Sequence, residues 1–205
     1  MNQTQAAGNC PAGNVTHDTF TAVADDAQGG RWLVLAVRVP AEPSRHRVAV
    51  WRELRRTGAV PLGQGCWAVP EVPAVTGGVA RAVDLAGRGS GEVIVLRAAG
   101  HGEADAARLE QLFTEARQAE WAEFTADCGK FSAEIDSEIA KGKFTLAELE
   151  EEEQSLERLR RWHRELATRD VFRAPGTAEA AQQLKHCTEK LAGYTDQVFR
   201  VLHQM

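Results

Sequence analysis

The spacing of hydrophobic and polar positions changes once along this chain. Up to about residue 100 the apolar residues fall in short alternating runs. Beyond it they recur every three or four positions. RWLVLAVRV, Arg31–Val39, alternates: Leu33, Leu35, Val37 and Val39 face one way, and Trp32, Val34, Ala36 and Arg38 the other. Most of both sets is apolar, which predicts a strand covered at least in part on both faces. Pro40 and Pro43 end it. Ser44 reads as the N-cap of a helix running to Thr57, with Gly58 as its stop. Within that helix Val48, Trp51 and Leu54 or Arg55 form the side expected to meet the sheet. AVPL, a GQG turn and CWAVP predict a short hairpin. Residues 74–88 predict a second helix carrying Val75, Val79, Val83 and Leu85, and EVIVLRA, Glu92–Ala98, predicts a last strand.

This order, β-α-β-β-α-β, is the ferredoxin-like pattern, with both helices on one face of an antiparallel sheet. The other face, carrying Trp32, Val34 and Ala36, needs cover from the rest of the chain or from a partner. Residues 103–204 read as helical throughout. Leu109, Leu112, Phe113, Ala116, Phe124, Cys128, Phe131, Ile135 and Ile139 keep helical spacing. Lys141-Gly142-Lys143 is a turn, and Thr145 with Glu148 forms a capping box. The next helix carries Leu149, Leu156, Leu159, His163 and Leu166 and stops near Arg173-Ala174-Pro175-Gly176. The last carries Leu184, Cys187, Leu191, Tyr194, Val198 and Val201, and the two predict an antiparallel hairpin. The expected class is therefore α+β: a disordered leader over 1–30, a ferredoxin-like domain over 31–100, and a helical region over 101–205 packed on it.

Composition is that of an ordinary globular protein, with 43% hydrophobic and 26% charged residues. No apolar run approaches the roughly 20 residues that span a bilayer. The start of the chain has neither the basic nor the apolar region of a secretory signal. The four cysteines, Cys10, Cys66, Cys128 and Cys187, are scattered. Together these features predict a cytoplasmic protein without metal or cofactor.

Charge is uneven. The net charge is -5, yet residues 1–100 carry ten arginines and no lysine against eight acids. Any polyanion site must then be a local patch. The predicted first helix holds the densest one: Arg45, Arg47, Arg52, Arg55 and Arg56 with His46, offset by Glu53 alone. Arg45, Arg52 and Arg56 share a face, and such a row could neutralise several phosphates. The face has two readings, an anion surface or the solvated side of an amphipathic helix. A second cluster, RLRRWHREL over Arg158–Leu166, supplies Arg160, Arg161 and Arg164. There Glu157 and Arg161 are spaced as an ion pair, and cations suit the end of a helix. His163, on the helix seam, reads as a buried, hydrogen-bonded side chain. Glu150–Glu153 reads as a solvated face. No phosphate loop, nucleophile elbow or H-E-x-x-H occurs, and no nucleophile, base and orienting group can be nominated.

Two segments resemble a known family. RWLVLAVRVPAEPSRHRVAVWRELRRTGAVPLGQGCWAVP is similar to the opening of the bacterial chromate-resistance regulator ChrB, in its strand ending in Pro, its W-R-x-L helix and its hairpin. LERLRRWHRELATRDVFRAPGTAEAAQQL resembles that family's helical part, through Arg169-Asp170-Phe172 and Ala174-Pro175-Gly176. The resemblance covers about residues 31 to 200. It implies a chromate-responsive transcriptional regulator, carries over no catalytic residues by motif, and gives DNA and chromate or another oxyanion as candidate partners; with no catalytic set in the sequence, no enzyme is expected. Full-length members carry a further C-terminal chromate-resistance domain, and this chain ends at Met205 without it, so a separate protein bearing that domain is a further candidate partner. The arrangement is also similar to a regulator of phenylacetate catabolism and to small CRISPR-associated nucleases, a likeness of fold only. The alternatives are a dimeric interaction module, expected from the helical seams and the open sheet face, and a chromate reductase or nuclease.

Overall fold

The computed structural model describes residues 31–204; the leader over 1–30 lies outside them. The elements are β1 (Trp32–Arg38), α1 (Ser44–Thr57), β2 (Val60–Gly63), β3 (Cys66–Pro70), α2 (Pro73–Arg88), β4 (Glu92–Ala98), α3 (Glu103–Lys141), α4 (Leu146–Arg169) and α5 (Thr177–Gln204). The architecture is mixed α/β. Four antiparallel strands lie in the order β2-β3-β1-β4.

The alternation in β1 sorts its side chains as expected. Leu35 is fully buried with Val50 and Leu54 of α1 and Val75, Val79, Ala82 and Ala86 of α2, and Leu33, Val37 and Val39 pack against the same cluster. On the opposite sheet face Trp32 is buried with Val60, Ala68 and Phe113. The rest of the chain therefore covers Trp32, through α3 and the α4–α5 connection, but leaves Ala36 exposed. On the same face Ile94 and Leu96 of β4 are about half exposed.

Two details of the first α/β crossover differ from expectation. Ser44 is the first helical residue, with Pro43 at the cap position and no capping side chain. The buried side of α1 is also turned by about one position. Val50 and Leu54 are buried, whereas Val48 and Trp51 are 39% and 47% exposed. Both apolar stripes exist in the sequence, and the sheet takes the one whose side chains reach Leu35. In α2 a similar shift buries Ala82 and Ala86 and leaves Val83 exposed.

Gly58 ends α1 as expected, at φ 88°. A side chain there would also collide, because a Cβ would lie 2.8 Å from Nη1 of Arg117. The positive φ favours glycine, and a side chain there would also have to displace the Arg117 guanidinium.

The helices α3, α4 and α5 form a three-helix bundle around Phe124, Cys128, Ile135, Leu156, Leu166, Cys187, Tyr194 and Val198. The expected hairpin of α4 and α5 is present, with α3 packed against both. The seams on Leu191 and Val198 are thus used within one chain. Thr145 caps α4 by accepting from the Glu148 amide at 3.2 Å. Of the acidic run, Glu150, Glu151 and Glu153 are exposed, but Glu152 is buried.

Candidate anion-binding face and the joint beside it

The arginines of the α/β half separate into two groups once their neighbours are known. Arg45, Arg47 and Arg52 are exposed and make no ion pair or hydrogen bond with any described residue. Arg55 lies over the Trp51 ring, its guanidinium carbon 4.9 Å from the centroid. A stacked guanidinium keeps its N–H edges free for an acceptor.

Arg56 belongs to the other group. It donates to both Glu53 carboxylate oxygens, at 3.0 and 2.9 Å. Arg81 of α2 donates to the same carboxylate at 2.8 Å. Burial pushes the Glu53 carboxyl up, but the hydrogen bonds from Arg56 and Arg81 outweigh it and hold it below the usual carboxylate range. Glu53 therefore does not neutralise the rest of the stripe; it ties α1 to α2.

Beyond Arg56 a chain of polar contacts joins the sheet half to the bundle. Arg117 of α3, almost fully buried, donates to the Gly58 carbonyl at 2.8 Å and to Glu120 at 3.1 Å. Burial pulls its guanidinium below the ordinary range, and the Glu120 charge opposes that pull. Arg169 also pairs with Glu120, at 3.1 Å. Next to it Asp170 is buried and accepts from the Trp121 indole at 2.8 Å, the Ala174 amide at 3.0 Å and the Thr177 hydroxyl at 2.7 Å. Phe172 packs against Trp32 at 5.9 Å and meets Phe113 edge to face at 5.6 Å between centroids. The segment RDVFRAPGT is thus the joint of the molecule. One carboxylate fixes the turn between α4 and α5, and one ring plugs it into the sheet.

The second predicted cluster is largely engaged. Glu157 pairs with Arg164 at 2.9 Å and with Arg160 at 3.9 Å. It does not pair with Arg161, its expected partner, because Arg164 two turns on reaches the carboxylate first. Arg161 is exposed. The three arginines form no unopposed face like that of α1.

His163 departs from its expected role in one respect. Its ring packs between Trp121 and Phe124, at 5.3 and 5.5 Å between centroids, but its Nε2 has no hydrogen-bond partner. Burial pushes its pKa down, which favours the neutral ring.

Among the described residues no group of His, Cys, Asp and Glu could hold a metal ion, and no helix is long and apolar enough to cross a membrane.

The molecule is thus a mixed α/β unit joined to a helical bundle, with an exposed cationic helix on its surface. The model for the N-terminal part of protein ChrB matches residues 47–205. The chain belongs to this family, which makes it a chromate-resistance-related regulatory protein. No curated protein and no solved structure matches it.

Proposed function

We propose that the chain regulates a chromate-resistance response by contacting DNA through the arginine face of α1. The sheet order β2-β3-β1-β4, with α1 and α2 packed on one face, supports reading the α/β half as the ferredoxin-like domain expected from the sequence. The observation that carries the functional reading is the state of Arg45, Arg47, Arg52 and Arg55. They are exposed on one helix and have no carboxylate partner among the described residues, although the chain as a whole is acidic. Such groups suit phosphate oxygens, which they would engage without reading bases. The role is one of binding, and no reaction is assigned to any residue.

The test is retardation of a fragment from a chromate-resistance promoter. Binding should be present at low salt and fall steeply as salt rises. Replacing Arg45 and Arg52 by Glu should abolish it with the fold unchanged. If the fragment is not retarded at low salt, with chromate absent and present, DNA binding is excluded.

A second reading, an interaction module, rests on β4. This strand is at the edge of the sheet, and Ile94, Val95 and Leu96 are 50%, 38% and 53% exposed. An unblunted apolar edge invites strand addition. Sedimentation showing a dimer that Ile94→Lys dissociates would favour it over the helical seams, which are buried within the bundle.

A further inference from the structure

Beside the arginine face, α1 and the sheet enclose a groove of about 300 Å³. Val37, Val50, Leu54 and Trp67 line its walls, and Arg47 and Trp51 stand at its rim. Gly65 closes one end. Its carbonyl accepts from the Val37 amide at 2.6 Å, and at its φ of 71° a Cβ would lie 2.7 Å from the Val37 carbonyl oxygen. The hairpin turn is therefore pressed against β1, and the end wall is backbone.

Three features of this groove go together. Its side walls are mostly apolar, so they offer burial to a hydrophobic body, and its polar groups are confined to the Gly65 end and the Arg47 rim. Its rim holds a tryptophan that is 47% exposed and steadied by Arg55 instead of being buried in the core. Its single charged lining side chain is Arg47, which has no partner among the described residues. No carboxylate lines it, and the nearest acid on the helix, Glu53, is held by Arg56 and Arg81.

We infer that this groove binds a small organic anion with a flat apolar body. The body lies between Val50, Leu54 and Trp67 with one edge against Trp51, and its carboxylate or sulfonate sits on Arg47. The charge complementarity selects an anion over a neutral or cationic ligand of the same shape. A charge-assisted hydrogen bond contributes enough to separate the two by about tenfold or more. The groove shares Arg47 with the proposed DNA face, but Arg45 and Arg52 do not line it, so variants at those two positions test DNA binding separately.

Naphthoate and its neutral counterpart naphthalenemethanol, titrated into the full chain with ligand-detected NMR, provide the test. The expected result is saturable one-to-one binding of naphthoate, with the neutral compound weaker by about tenfold or more. Arg47→Gln should bring the two affinities together. Trp51→Ala should weaken both, and Arg45→Gln should leave both unchanged. All three side chains are exposed, so folding is retained, as circular dichroism would verify. Absence of saturable binding, equal affinity for the two compounds, or an Arg47→Gln protein that still prefers the anion would overturn the inference. So would a dimer that Trp51→Ala dissociates, because a second copy would then occupy the groove. Loss of promoter retardation in the Arg45 and Arg52 variants, with naphthoate binding intact, would separate the two sites.

Discussion

Two sets of arginines meet on α1 in this molecule, and they do opposite work. Those of the joint, Arg56, Arg81, Arg117 and Arg169, reach a carboxylate or carbonyl in another element or one turn away. Those along the rest of α1 reach none among the described residues. Cations that hold elements together need buried or half-buried acceptors, and Glu53, Glu120 and the Gly58 carbonyl supply them. Cations with no internal acceptor must be satisfied by water or by a ligand. The contrast tells which arginines stabilise the fold and which are available for binding.

The joint should show the largest effects. Asp170→Ala leaves the Trp121 indole, the Ala174 amide and the Thr177 hydroxyl without their acceptor. The expected loss is about 3 kcal/mol or more, read from the midpoint of urea unfolding. Arg117→Ala should cost about as much, because it strips the buried Gly58 carbonyl of its donor and leaves Glu120 with Arg169 alone. A loss below about 1 kcal/mol in either variant would break the distinction between the two sets.

The α1 face should behave in reverse. Replacing Arg45 and Arg52 by Glu should change stability by no more than about 0.5 kcal/mol. Polyanion affinity at low salt should nevertheless fall by about tenfold or more, as two charge-assisted contacts become repulsive.

The carboxylates sharpen the same contrast at an intermediate scale. Glu138 is buried, and Lys143 and Lys141 hold it below the usual range. Glu152 is buried with no cation paired to it among the described residues. Burial, together with the charges of Glu134, Glu151, Glu138 and Glu148, pushes it up to about 7. Between its ordinary value of 4.5 and about 7 the folded chain holds a proton that the unfolded chain has lost. Stability from this group is therefore complete below that window and falls as pH rises through it. Glu152→Gln should stabilise the protein at pH above 7 by on the order of 1 to 2 kcal/mol, an advantage that shrinks toward pH 4.5. Thermal melts across that range would show it. The smallest effect belongs to Arg164→Ala, which removes an exposed pair and should cost less than about 0.5 kcal/mol.

Much of the fold is legible in the residues. The alternation from Trp32 to Val39, the Gly58 stop and the Thr145 cap depend on neighbours a few positions away, and the structure has all three. The family resemblance is legible in the same way, since Arg169, Asp170 and Phe172 each make a contact that holds the joint. Long-range pairing is not. Arg117 looks like one cation on a charged helix until Gly58 is placed against it. Glu152 looks like its solvated neighbours until the bundle closes over it. The phase of α1 escapes the sequence for a related reason. Val48, Val50, Trp51 and Leu54 offer two apolar stripes, and size favours Trp51. Only the position of Leu35 selects Val50 and Leu54 for the core, and that leaves Trp51 at the rim of a groove. The candidate site is legible as a cluster of cations but not as the subset that lacks partners.

The most direct test of that subset is a salt titration of DNA affinity by fluorescence anisotropy. It would compare the native chain, a variant with Arg45 and Arg52 replaced by Gln, and one with Arg160 and Arg164 replaced by Gln. Removing one arginine–phosphate pair should lower the slope of log affinity against log salt by about 0.9. The α1 variant should therefore have a slope shallower by nearly two units, and the α4 variant should keep the native slope. A native slope in the α1 variant, or a shallower one in the α4 variant instead, would contradict the account.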